Sequence, residues 1–183
     1  MKIISTQIED CFIVEPSVFK DNRGYFMESY NSKEFQNKTN LRVNFVQDNE
    51  SMSSYGVIRG LHAQLGAHAQ AKLVRVVKGK VLDVVVDARS SSPSFGKIVS
   101  KILDADNKKQ LFVPKGCLHG FAVLENDTIF SYKCDAFYNK ESEVGVNPLD
   151  SDLQIDWKVK IGAEIISKKD KEASSWAEFY KQL

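Results

Sequence analysis

The chain has 183 residues, 43% hydrophobic and 27% charged, the values of a globular protein large enough to bury one core. Its 25 basic and 24 acidic side chains nearly cancel, which argues against a general nucleic-acid binder and its broad basic face, though not against a local basic pocket for a small anion. No apolar run reaches the roughly 20 residues of a membrane helix. Acidic Glu9 and Asp10 stand where the apolar segment of a signal peptide would lie. The expectation is one cytoplasmic domain over residues 1–183, with neither a membrane nor a nucleic acid as partner. Cys11, Cys117 and Cys134 are odd in number, widely spaced and free of CxxC pairs, which suits reduced thiols.

Taken in order, short runs rich in Val, Ile, Phe and Leu predict strands at Cys11–Glu15, Tyr25–Ser29, Val43–Asp48, Leu73–Lys78, Val81–Asp87, Gly96–Leu103, Gln110–Val113, Phe121–Leu124 and Thr128–Cys134. Turn residues punctuate them, among them Asn22-Arg23-Gly24 and Glu125-Asn126-Asp127. Gly79 sits so close between two runs that a hairpin is expected there. A short helix is expected over Ser32–Asn37, capped by Asn31 or Ser32. A second is expected over Ser174–Leu183, where Trp176, Phe179, Tyr180 and Leu183 recur at helical spacing behind a serine cap. The charged run from Lys168 to Glu172 reads as a solvated loop. Many short strands with few helices predict an all-β sandwich or barrel.

Two segments differ from packing strands. The first is Gly60-Leu61-His62-Ala63-Gln64 with Lys72 eight residues on; the second is Pro114-Lys115-Gly116-Cys117-Leu118-His119-Gly120-Phe121. The pair resembles the two motifs of the cupin superfamily, which implies a double-stranded β-helix (jelly-roll) barrel with a few short peripheral helices. Metal-binding cupins carry a second histidine and an acid in the first motif. Here Gln64 and Lys72 stand in those places, and an ammonium repels a cation that needs deprotonated donors. The expected pocket is metal-free, with Lys72 as the electrophile that steadies negative charge on a substrate oxygen.

His62 is then the candidate base, since its ordinary pKa suits proton transfer near neutrality. Removing a proton from carbon requires a delocalised carbanion, so abstraction beside a carbonyl is implied, with Lys72 holding the enolate. Tyr132 and Tyr138 lie on the last strand and its exit, and either can return a proton from the other face. That layout suits an epimerase.

Longer segments carry a closer resemblance: DNRGYFMESYN (Asp21–Asn31), FVQDNESMS (Phe45–Ser53), VIRGLHAQ (Val57–Gln64), NKKQLFVPKGCLHGFAVL (Asn107–Leu124), YKCDAFY (Tyr132–Tyr138) and DSDLQIDW (Asp150–Trp157). In order along the chain, they are similar to the dTDP-4-dehydrorhamnose 3,5-epimerase family. The resemblance implies His62 as general base with Asp170 as its partner, Tyr132 as general acid and Lys72 on the 4-keto oxygen. It also implies Arg59 and His119 along the hexose. Arg23, Glu28, Gln47, Asp48, Asn49, Glu143 and Lys169 are implied around the nucleotide and diphosphate (Lys168 being the adjacent alternative to Lys169), and Tyr138 against the thymine. It further implies a dTDP-sugar substrate, no cofactor, and a homodimer with exchanged N-terminal strands. Ala63 stands where the family commonly has an aromatic, and Ala71 where it has glycine. The rivals are an epimerase acting at carbon 3 only, a non-catalytic sugar-nucleotide-binding cupin, and a metal-dependent cupin oxygenase.

Overall fold

The computed structural model describes residues 1–182. The N-terminal half forms β1 (Lys2–Ser5), β2 (Phe12–Glu15), β3 (Val18–Asp21), β4 (Gly24–Met27), α1 (Ser32–Thr39), β5 (Gln47–Ser53), β6 (Val57–Gln64), β7 (Lys72–Lys78) and β8 (Lys80–Asp87). The remainder forms β9 (Ile98–Asp104), β10 (Gln110–Val113), β11 (Cys117–Val123), β12 (Thr128–Cys134), β13 (Glu143–Gly145), β14 (Ile165–Ile166), α2 (Lys168–Lys171) and α3 (Trp176–Tyr180). One sheet runs β1-β2-β10-β7-β12-β5. The other runs β13-β6-β11-β8-β9, with β14 alongside β6. Strands β3 and β4 make a separate hairpin. The result is the all-β jelly-roll barrel of the cupins, with short helices outside it.

Alternation explains where the core sits. Val74 and Val76 of β7, Val81 and Val85 of β8, Leu111 of β10 and Phe130 of β12 meet between the sheets. The other face of β8 supplies Leu82, Val84 and Val86 to a second cluster with Leu153, Trp157 and Phe179 from the C-terminal segment. Strand β8 is therefore covered on both sides, which is why it reads as a nearly unbroken apolar run. A third cluster packs Phe35 of α1 against Leu73 and Phe112.

Both predicted helix caps have partners. The Asn31 side chain accepts from the Glu34 N–H at 3.1 Å. At α3, Ser175 and Glu178 form a reciprocal capping box, worth about 1 kcal/mol. The aromatic stripe of α3 is a packing face, with Phe179 buried and the Trp176 ring 5.7 Å from Phe95. Leu183, predicted to end that stripe, lies outside the described residues.

Five expectations are corrected. Strands β7 and β8 do not pair: β7 lies between β10 and β12, β8 between β11 and β9. Gly79 is a corner between sheets, with φ +82° and no room for a Cβ, which would come within 2.2 Å of the Thr128 hydroxyl. The strand expected at Val43–Asp48 instead occupies Gln47–Ser53, drawn to the free edge of β12. The segment Val57–Gln64, treated as a site motif, is itself a strand, and the strand expected at Phe121–Leu124 begins at Cys117. Lys168–Lys171 is helical, begun by Ser167, and Asp170 is buried in it.

Candidate active site

Strand β6 brings two polar side chains to one face by breaking its own alternation. Against β11, His62 pairs with His119 and Arg59 with Phe121, so Gly60 and Leu61 together oppose Gly120 alone. This is a β-bulge. In a regular strand, residues three apart point to opposite faces; with the extra residue, Arg59 and His62 both face the barrel interior. Gly60 makes the bulge possible: its φ is +111°, and a Cβ there would lie 2.6 Å from Gly120 Cα and the His119 carbonyl oxygen.

The free edge of β6 is shared by β13, antiparallel opposite residues 62–64, and β14, parallel opposite residues 57–58. Chain leaving β14 turns at Ser167, whose side chain accepts from the Asp170 N–H at 3.1 Å, and α2 then delivers Asp170 to His62. Nε2 of His62 lies 2.7 Å from Asp170 Oδ1. With Asp170 ionised, Nε2–H donates to the carboxylate, and Nδ1 keeps the lone pair needed to accept a proton.

A cavity of about 560 Å³ is lined by Arg59, His62, Lys72, His119, Phe121 and Tyr132 among others, with Lys169 and Asp170 at its side. A second, of about 340 Å³, is lined by Gln47, Asn49, Gln70, Cys134, Tyr138 and Glu143. The two share His62, Lys72 and Tyr132. The Lys72 ammonium is 5.9 Å from the Tyr132 ring centroid. Burial lowers the pKa of Lys72, although Cys134, Glu143 and Asp83 pull it back up. Burial raises that of the Tyr132 phenol, which stays protonated well past neutrality.

His119 is held from behind by Asp83, with Nε2 at 3.0 and 3.1 Å from the two carboxylate oxygens. Burial pushes the Asp83 carboxyl up, against the pull of His119. Phe121 and Phe130 stack at 4.0 Å beneath the site. Arg59 donates to the Ser53 hydroxyl at 3.2 and 3.3 Å.

At the second cavity, Glu143 accepts from the Tyr138 hydroxyl at 3.0 Å and pairs with the Lys169 ammonium at 2.6 Å. Burial would raise the Glu143 pKa, but Lys169 and Tyr138 together hold it below the usual value. Lys168 instead faces outward toward Glu172. Alternation along β5 sends Gln47 and Asn49 into this cavity, and Asp48 to the other face, where it pairs with Lys133 at 2.9 Å. Arg23 and Glu28 lie apart from both cavities: Arg23 pairs with Asp21 at the tip of the β3–β4 hairpin, and Glu28 accepts from Asn31. Glu50, Ser51, Gln70 and Cys134 line the site without having been singled out from sequence. Period-two counting from Asn49 and Tyr132 would have found Ser51 and Cys134.

Known proteins match the chain over nearly its whole length. A family model described as dTDP-4-dehydrorhamnose 3,5-epimerase matches residues 5–178. The protein of that name from Shigella flexneri is 50% identical over 170 residues, covering 93% of each chain. The crystal structure of the Elizabethkingia anophelis enzyme superposes with a TM-score of 0.94 at 54% identity, covering 97% of both chains. A Legionella pneumophila structure in complex with dTDP-4-keto-L-rhamnose superposes with a TM-score of 0.90 at 44% identity, covering 95% of this chain and 92% of that one.

Proposed function

The chain belongs to the dTDP-4-dehydrorhamnose 3,5-epimerase family, and from that premise we propose how its residues divide the reaction. The substrate is dTDP-4-dehydro-6-deoxy-D-glucose and the product dTDP-4-dehydro-L-rhamnose. His62 removes the proton from a carbon beside the ketone, and Asp170 stabilises the imidazolium that forms. The electron pair left on carbon delocalises onto the 4-keto oxygen, where Lys72 holds the enolate as its negative charge develops. Tyr132 gives its proton to the opposite face, and solvent returns His62 and Tyr132 to their starting states. Repeating the cycle at carbons 3 and 5 inverts both centres with no net gain or loss of atoms.

The observation that carries this reading is the cavity on which His62, Lys72 and Tyr132 converge, with the buried Asp170 behind the histidine. The second cavity supports placing the nucleotide along Gln47, Asn49, Tyr138, Glu143 and Lys169. A homodimer with exchanged N-terminal strands, bringing Arg23 and Glu28 to a nucleotide, is supported by Phe19 and Phe26, 64% and 66% exposed on a hairpin joined to neither sheet. A cytoplasmic setting is supported by three buried free thiols. No helix among the described residues is long and apolar enough to cross a membrane.

The test is incubation of the keto sugar with the protein in deuterated water. Two deuterons per product, at carbons 3 and 5, are expected. One deuteron at carbon 3 alone would restrict the reaction to that centre, and none would overturn the enzymatic reading.

A further inference from the structure

Gln64 stands where a metal-binding cupin carries a histidine, and the proposed chemistry makes no use of it. Its side chain is nonetheless fully engaged, with only 4% of the residue exposed. Nε2 donates to the His68 carbonyl at 2.7 Å and to the Phe137 carbonyl at 3.2 Å, while Oε1 accepts from the Asn139 N–H at 2.9 Å. A neighbouring buried amide, Gln70, donates to the Ala136 carbonyl at 2.7 Å. Gln47 accepts from the Tyr138 N–H at 3.1 Å. Each residue from Ala136 to Asn139 therefore has a backbone group held by a glutamine.

The segment so held has no sheet partner of its own until β13, so its backbone groups need side-chain ligands. Only an amide offers two donors and an acceptor on one uncharged side chain. A histidine at the same place could not bond to two carbonyls and an N–H together. Tyr138, in the middle of the segment, is 57% exposed and has little packing to orient its ring. Its hydroxyl reaches Glu143, which lies opposite Gln64 in the β6–β13 ladder. Gln64 thus grips the chain on both sides of Tyr138 and also stands opposite the residue that anchors the phenol.

We propose that Gln64, assisted by Gln70, is a positioning residue that pre-orders Tyr138 for the nucleotide, setting affinity for the dTDP half of the substrate without entering the chemistry. The inference rests on the reading of Tyr138 as the thymine-stacking residue. Ordering the ring before binding removes a cost that each binding event would otherwise carry.

Gln64→Glu keeps the shape and acceptor but loses both donors and sets a carboxylate against two carbonyls. Calorimetry with dTDP and steady-state kinetics should show Kd and KM both rising about tenfold or more, with kcat within about threefold of the parent. In a Tyr138→Ala background the same substitution should change Kd by less than about twofold, because the ring it orders is gone. Gln70→Met should weaken dTDP binding in the same direction, and it carries the test if Gln64→Glu does not fold. An unchanged Kd, or an equal loss in the Tyr138→Ala background, would overturn the inference while leaving the epimerase reading intact. Failure of the unmodified protein to bind dTDP would overturn the nucleotide reading and this inference with it.

Discussion

The imidazole of His62 and the carboxylate of Asp170 meet at 2.7 Å although 108 positions separate them. Residue 62 is fixed by a central strand of the second sheet. Residue 170 arrives on a four-residue helix whose strand, β14, pairs in parallel with the start of that same strand. Asp170 is 5% exposed, so its charge acts on the histidine with little screening by water. The pair joins a buried carboxylate to an imidazole that lines the cavity, which fits the proton abstraction proposed above.

Asp170→Asn should lower kcat by about 10²- to 10⁴-fold while leaving KM within a fewfold. The amide occupies the same volume, and the Ser167 cap bonds only to backbone at residue 170, so the fold should survive. Losing the carboxylate removes the imidazolium's counter-charge and the bond that keeps the proton on Nε2. Stopped assays on the dTDP-keto sugar, with dTDP affinity measured in parallel, check this. An unaltered kcat would mean that the base lies elsewhere.

Tyr132→Phe should separate abstraction from inversion. His62 and Lys72 remain, so enolisation continues, but no acid faces the far side of the sugar. Turnover should fall at least about 10²-fold, while recovered substrate gains solvent deuterium with its configuration retained. Mass spectrometry of the substrate pool reads this directly. Loss of exchange together with turnover would make Tyr132 necessary for enolisation as well.

How much of this was legible in the sequence depends on which force shaped each segment. Val81–Asp87 is apolar on both faces and readable as a buried strand at once. Val57–Gln64, on the far side of β11 in the same sheet, was not, because its cavity-lining positions carry Arg59, His62 and Gln64, which displace the apolar half of the alternation. Gln47–Ser53 has poor strand propensity and pairs only because the edge of β12 is open to it. At Gly79 the local pattern matches a hairpin, yet β7 takes its partners from residues 110–113 and 128–134, which no local window contains. The charges around Asp170 conceal its burial, so its pairing with His62 was suggested by family resemblance and not by composition. Asp48 lies off the second cavity for a simpler reason: three consecutive strand residues cannot all face one pocket.

The alkaline side of the pH profile should belong to Lys72. Its ammonium must be charged to hold the enolate, and burial lowers its pKa from the ordinary 10.5. Activity should therefore decline as pH rises through that depressed value. Burial moves the Tyr132 phenol the other way, and the Lys72→Arg variant separates the two groups. Lys72→Met should cost about 10²- to 10³-fold in kcat at neutral pH, the effect of losing one donor to a developing oxyanion. Lys72→Arg, whose charge persists beyond about pH 12, should shift the limb upward in whatever activity it retains. A limb at the same pH in Lys72→Arg would assign it to another group.

The bulge in β6 gives the last prediction, because it ties stability and activity to one missing methyl group. Gly60→Ala places a Cβ about 2.6 Å from backbone atoms of β11 at a φ of +111°, a conformation that side chains rarely adopt. Strain of this kind costs about 1–3 kcal/mol, and the overpacking a similar amount. Denaturant melts should show the sum as roughly 2–6 kcal/mol of lost stability. Relief comes most readily if Gly60 and Leu61 straighten and β6 returns to regular alternation, which would turn His62 or Arg59 away from the cavity. Folded Gly60→Ala protein should therefore lose kcat more severely than it loses dTDP affinity, since Gln47, Asn49 and Tyr138 lie on other elements. If the folded fraction keeps full turnover, the bulge is not what aims His62.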